Sequence, residues 1–312
     1  MAFLRFLESI RFPALNGFMS AVTYFGDEAV FMAVALVFFW CVSKRQGYYI
    51  LIAGLLGVAV SQILKLLCRV PRPWVLDPAF TIVESARAGA DGYSFPSGHT
   101  QSIVGTMGAI FAVRKETWLR ILCIALVILV PFSRMYLGVH TPLDVGVGFA
   151  ISLVLVAALY PCFRSEQAFA RSAKGVIVAG LLAGIAYAVF VLCYPFPADM
   201  DADNLAHGIQ NGYTALGCVV GLAVIFAADR KHPFQTEAPL PGQILKLALG
   251  FALLLGIKSG LKALFLAAGL TSPALNAVRY FCVVVFGGAI WPRTFPYFAK
   301  LGAKRTADPR SI

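Results

Sequence analysis

Three short stretches of this chain set ionisable side chains among apolar neighbours. In KLLCRVPRP, Lys65 is followed seven residues later by Arg72, which has a proline on each side. PSGHT places Ser97, Gly98 and His99 after Pro96, and SRMYLGVHTPLD carries Ser133, Arg134, His140 and Asp144. Each has an ordinary explanation when taken alone. A lysine at a helix end can snorkel to the interface, and Ser-Gly is a common helix start. Thr141-Pro142-Leu143-Asp144 has the form of a capping box, with Pro142 at the first helical position. Together, however, they bring two arginines, a lysine, two histidines and an aspartate to one face with no structural task to perform. Phosphoryl transfer without a metal needs such a set. Arg72, Arg134 and Lys65 can neutralise the charge spread over phosphoryl oxygens. Free N–H groups at the start of a helix opened by PSGH add donors and the positive end of a dipole. A histidine nitrogen can attack phosphorus if its other nitrogen is held by an acceptor. Asp144, one turn after His140, can be that acceptor, and a second histidine can protonate the leaving oxygen.

The elements that must position these groups are membrane helices. Of the 312 residues, 59% are hydrophobic. Apolar runs near 26–42, 47–68, 98–113, 118–135, 143–163, 175–194, 207–228, 244–267 and 273–292 approach the length that crosses a hydrocarbon core. They lack the alternation of barrel strands. The expected fold is therefore all-α: a polytopic helical membrane protein of about nine transmembrane helices, with a helical-bundle phosphatase core. Residues 1–25 have the mixed apolar and basic character of an interfacial segment, and no small-residue cleavage site follows a short apolar core. The expected division is 1–25 interfacial segment, 26–164 core with the three motifs, and 165–312 additional helices with a basic tail. The seven cysteines fall in or beside the spans without paired spacing, as small apolar residues rather than disulfides or metal ligands.

The net charge of +11 does not indicate nucleic acid, because sixteen of the 26 Lys and Arg residues lie on one set of alternating connections and the tail. Lys44, Arg114, Arg171 and Arg230 are among them. The positive-inside rule makes that side, and the C-terminus, cytoplasmic. All three motifs then sit on the extracytoplasmic face, as expected of an integral protein of the plasma membrane.

The motifs resemble those of the type 2 phosphatidic acid phosphatase and haloperoxidase superfamily, in its membrane-bound lipid phosphatase branch. That signature is K-x6-RP, then PSGH, then SR-x5-H-x3-D, and it is matched here by Lys65 to Arg72-Pro73, Pro96 to His99, and Ser133-Arg134, His140 and Asp144. The likeness covers about residues 47–160. It implies that His140 attacks phosphorus to form a phosphohistidine, that Asp144 orients it and that His99 protonates the leaving group. Lys65, Arg72, Ser97, Gly98 and Arg134 would hold the phosphate oxygens, with no cofactor and no metal. The implied partner is a lipid phosphate within the membrane: undecaprenyl pyrophosphate, phosphatidate, phosphatidylglycerol phosphate or a sphingoid phosphate. A lipid-linked phosphotransferase using an acceptor other than water is the alternative, while a soluble haloperoxidase or a lipid transporter fits less well. Protein partners are not indicated.

Beyond the motifs, Lys258 and Lys262 share a helical face and Arg279 lies in the outer half of the last span. Ionisable groups inside a membrane are candidates for function. They either snorkel or form an anionic-headgroup pocket, to which His207, Gln210, Asn211 and Tyr213 could contribute.

Overall fold

The computed structural model describes residues 1–301, which form helices and their connections with no strand among them. The basic residues Lys304, Arg305 and Arg310 of the expected cytoplasmic tail lie outside the described residues. In chain order the helices are α1 (Ala2–Ser9), α2 (Pro13–Thr23), α3 (Glu28–Val37), α4 (Lys44–Cys68), α5 (Pro73–Leu76), α6 (Gly98–Val113) and α7 (Thr117–Tyr136). They are followed by α8 (Pro142–Phe163), α9 (Glu166–Cys193), α10 (Ala202–Lys231), α11 (Leu240–Ala267), α12 (Leu275–Val285) and α13 (Phe295–Ala299). Short π-helical segments, Phe38–Val42 and Phe286–Ile290, extend α3 and α12.

Seven helical stretches are long and apolar enough to cross a membrane: an integral membrane protein is the only reading they allow. An eighth is obtained if Pro13–Gly26 and Glu28–Val42, bent by 53° against each other, count as one broken span. The expected count of nine is therefore not reached by length and composition among the described residues. All nine runs are helical in the structure, but the first forms only the second half of the bent pair. The third, α6, has 16 residues, about 24 Å at the α-helical rise and shorter than the ~30 Å hydrocarbon core. It can be short because it is enclosed, packing on α4, α7 and α8. Residues 1–25 are more than an interfacial strip. Leu4 and Leu7 of α1 are buried with Phe80, Arg5 pairs with Asp77 at 2.6 Å, and α2 packs against α7.

The termination signals of these helices bring the motifs to one end of the bundle. The C-terminus of α4, the N-terminus of α6, the C-terminus of α7 and the N-terminus of α8 meet there. Arg69 adopts the left-handed conformation (φ 51°) and stops α4 four residues after Lys65. Ser97 caps α6, its hydroxyl accepting from the Thr100 N–H. Thr141 and Asp144 form the reciprocal capping box that TPLD suggests, with Pro142 behind the cap. The opposite end carries Lys44, Arg45, Arg114 and Lys115, where Lys44 pairs with Asp229 (2.8 Å) and Arg45 with Glu166 (2.7 Å).

Candidate active site

His140 lies in the short connection between α7 and α8 and is 1% exposed. Its backbone N–H and that of Val139 both donate to the Arg134 carbonyl, which ends α7 in a tight turn. On one side of the imidazole, Arg72 Nη1 lies 2.9 Å from Nε2. A guanidinium can only donate, so Nε2 must present its lone pair and the ring proton belongs on Nδ1. Nδ1 faces Asp144 Oδ2 at 3.5 Å and Ser94 Oγ at 3.4 Å. Ser94 donates to the same carboxylate oxygen at 2.6 Å, and the Thr141 N–H donates to it at 2.7 Å. Asp144 thus caps α8 and faces the histidine with one oxygen. Burial, followed by the nearby charges of Arg72, Arg134, Lys65 and His99, holds the His140 imidazole well below its ordinary pKa. At neutral pH the ring is uncharged, which is the state with a lone pair to offer.

Arg72 is fastened from three further directions. It donates to the carbonyls of Asp91 (2.7 Å), Gly92 (3.0 Å) and Val139 (3.0 Å). Lys65, also buried, donates to the Tyr93 carbonyl. The loop before PSGHT thereby becomes a rim of carbonyls that fixes two cations. Four cationic or imidazole groups of the motifs line the adjoining cavity: Lys65 and Arg72, which bond to this rim, with His99 and His140. The cavity has a volume of about 390 Å³ and also exposes Gly98, where an added Cβ would meet nothing within 4 Å.

Arg134 is placed differently. Its guanidinium does not line the cavity but lies behind it, donating to Thr23 Oγ1 (2.8 Å) and the Gly89 carbonyl (3.0 Å), with Nε buried and unpartnered among the described residues. Ser97 and Asp144 are likewise buried behind the lining. Lys258, Lys262 and Arg279 are not among the lining residues either; Lys258 and Arg279 lie over the ring of Tyr280, which is. His207 and Asn211 reach the cavity, whereas Gln210 and Tyr213 do not.

Sequence reasoning missed Ser94, Thr23 and the carbonyls of 89–93. Ser94 stands two residues before Pro96, close enough to the motif to have been noticed. The carbonyls leave no mark on residue types. Thr23 arrives from far away in sequence because of the break between α2 and α3, where a Cβ on Gly26 would lie 2.9 Å from the His99 carbonyl oxygen. Close backbone approach also joins α8 to the PSGHT turn. A Cβ on Gly148 would stand 2.8 Å from the Ser97 carbonyl oxygen. Gly148→Val is expected to destabilise the protein by about 1–3 kcal/mol through overpacking against backbone. A lowered thermal midpoint in detergent checks this, and an unchanged midpoint contradicts the contact.

Residues 45–168 match the PAP2 superfamily, and residues 213–305 match the transmembrane extension of PAP2 superfamily phosphatases. An undecaprenyl-diphosphatase of Sulfolobus acidocaldarius is 30% identical over 139 residues, 44% of this chain and 65% of its own length, just under two thirds. Undecaprenyl-diphosphatase BcrC of Bacillus subtilis is 28% identical over 147 residues, 45% of this chain and 72% of its own. Lipid phosphate phosphatase delta of Arabidopsis thaliana is 22% identical over 270 residues, covering 80% of this chain and 63% of its own. With both halves of the chain matched and the three motifs gathered on one cavity, this protein belongs to the PAP2 superfamily and carries the transmembrane extension of its phosphatases.

Proposed function

We propose that this protein is a lipid phosphate phosphatase that hydrolyses a phosphomonoester or pyrophosphate on a membrane lipid, through a phosphohistidine on His140, at its extracytoplasmic end. The observation that carries the reading is the orientation of His140, with Nε2 accepting from Arg72 and Nδ1 facing Asp144 and Ser94. A phosphate arriving in the cavity competes for the Arg72 N–H groups and frees the Nε2 lone pair. Nε2 then bonds to phosphorus as the bond to the lipid oxygen breaks. His99, protonated as the negative charge of the bound phosphate offsets the surrounding cations, gives that oxygen its proton, so the lipid leaves as an alcohol, or as a monophosphate if the substrate is a diphosphate. Water attacks the phosphohistidine next, His99 takes its proton, and inorganic phosphate departs with the histidine restored. Lys65 and Arg72 balance the oxyanion charge, joined by the N–H groups at the start of α6. Arg134, behind the lining, holds the Gly89 carbonyl of the rim and adds positive charge at short range.

The sidedness rests on the distribution of basic residues. The end opposite the site bears Lys44, Arg45, Arg114 and Lys115, the cytoplasmic signature. The relatives act on undecaprenyl diphosphate or lipid phosphates by name, which supports a lipid substrate. Phosphate release from lipid mono- and diphosphates should persist in EDTA and be inhibited by orthovanadate, which mimics the trigonal-bipyramidal transition state. Intact cells should hydrolyse a membrane-impermeant phosphate ester supplied outside. Activity that vanishes in chelator and returns with Mg2+ would overturn the metal-free mechanism; hydrolysis seen only after lysis would reverse the sidedness.

A further inference from the structure

One turn inward from the cations of the site, the cavity wall carries polar side chains that none of the three motifs uses. On α4, Gly57, Ser61 and Lys65 are buried and follow at intervals of four, so they share a face. Ser61 stands about 6 Å further in than Lys65 at the α-helical rise. Gln101 reaches the same face from α6. A Cβ on Gly57 would lie 1.9 Å from its amide nitrogen and one on Gly105 would lie 3.8 Å from it, so two glycines leave the niche in which the amide sits. Ser61 and Gln101 both line the main cavity. They are 1% and 2% exposed, yet the Ser61 hydroxyl and the Gln101 amide nitrogen have no hydrogen-bond partner among the described residues. Across the space, Asn211 and Thr214 of α10 line the same cavity. Two contacts between α4 and α10 set their depth. A Cβ on Gly208 would meet the Leu66 side chain at 2.7 Å, and Ala215 is buried in one cluster with Ala59. Asn211 and Thr214 therefore stand level with the part of α4 that bears Ser61.

We propose that Ser61 and Gln101, with Asn211 and Thr214 opposite them, form a specificity subsite that binds a neutral oxygen function of the substrate, a hydroxyl or ester oxygen carried close to the phosphoester. The proposal rests on the phosphatase reading above and deepens it by naming the residues that select among phosphate esters. A buried donor without a partner weakens the fold, and a ligand that brings an acceptor offsets that loss. The amide nitrogen of Gln101 can only donate and the Ser61 hydroxyl can donate, so the group they await must offer lone pairs. All four side chains are neutral, which suits an uncharged oxygen and leaves the phosphate to Lys65 and Arg72. The step of about 6 Å from Lys65 to Ser61 matches an oxygen on the second or third carbon of the esterified alcohol. A plain alkyl or prenyl chain in the same place would leave both donors unpaired, and a site built for a hydrogen bond discriminates against the analogue that lacks it. Because Asn211 and Thr214 belong to α10, beyond the three motifs, the selection draws on a helix that the chemistry itself does not need.

The test uses full-length protein in lipid nanodiscs with octyl phosphate and 2-hydroxyoctyl phosphate, esters of equal chain length that differ by one hydroxyl group. Wild-type kcat/KM should be at least about tenfold higher for the hydroxylated ester, since it alone pairs the buried donors. Gln101→Leu and Ser61→Ala each remove one donor. Each should lower that preference at least about threefold, and the double variant should bring it close to unity. Taking the ratio of the two esters on every variant cancels a general loss of folded enzyme, which a merely structural role would produce. If a variant releases no phosphate from either ester, Gly57→Ala carries the comparison, because its Cβ would displace the Gln101 amide without removing it. A wild type with no preference, or a preference that survives every substitution, overturns the subsite and leaves the phosphatase reading intact. Failure of the wild type to release phosphate from these esters and from long-chain lipid phosphates alike overturns the phosphatase reading, and this inference with it.

Discussion

His140→Ala should lower kcat by at least about 10³-fold on any lipid phosphate the wild type accepts, because on the proposed mechanism it removes a covalent catalyst and not a binding contact. Among the described residues, no other group of the motifs is placed to take its part. The nearest imidazole, His99, stands on α6, and the remaining lining groups of the motifs, Lys65 and Arg72, are committed to backbone carbonyls. The variant should still fold and bind vanadate, since the cations that hold an oxyanion remain. Brief incubation of the wild type with a phosphorus-labelled substrate, followed by alkaline quench, should trap label on the protein in a base-stable, acid-labile bond. His140→Ala should trap none. Turnover within about tenfold of wild type would remove His140 from the nucleophile's role.

Arg72→Lys is expected to be nearly as severe, a loss of about 10²–10³ in kcat/KM, although the charge is kept. The reason is geometric. The planar guanidinium of Arg72 donates to the carbonyls of Asp91, Gly92 and Val139 while it faces His140 Nε2. An ammonium group has three donors on a single point and cannot reproduce that fork. The 89–93 rim would lose its tie to the His140 turn, and the imidazole would lose the contact that directs Nε2 toward the cavity. The thermal midpoint should fall as buried carbonyls lose partners, each at a cost of about 1–3 kcal/mol. Measuring vanadate inhibition alongside turnover separates binding from chemistry. A kcat/KM within about threefold of wild type would mean that Arg72 supplies charge alone.

Much of this protein can be read from residue order, for reasons that are local. Apolar runs must be helices in lipid, so the bundle and the positions of its helices follow from composition. Pro142 and the Thr141–Asp144 box announce the start of α8 because capping is an interaction over three residues. The span count was less readable. Hydropathy does not distinguish a helix that faces lipid from one enclosed by others, so α6 and α3 looked like full crossings. The setting of Lys258, Lys262 and Arg279 was not readable for a related reason. Helical periodicity places residues on a face but does not say what that face meets, and here Lys258 and Arg279 lie over the ring of Tyr280, itself a lining residue of the cavity.

Residue types and spacing by themselves determined the class of protein, the end of the bundle that bears the motifs, and the chemistry those motifs could perform. Charge, proton affinity and helix signals are properties of the side chains and their nearest neighbours in the chain. Tertiary structure alone decided which of those groups face the cavity. It turned Arg134 inward to Thr23 and Gly89, and it fastened Arg72 to carbonyls nineteen and more residues away. It also brought Ser94 between His140 and Asp144, and laid α10 along the cavity from Asn204 to Cys218. Those contacts join residues far apart in the chain through backbone atoms and helix packing, and neither leaves a signature in the identity of a residue.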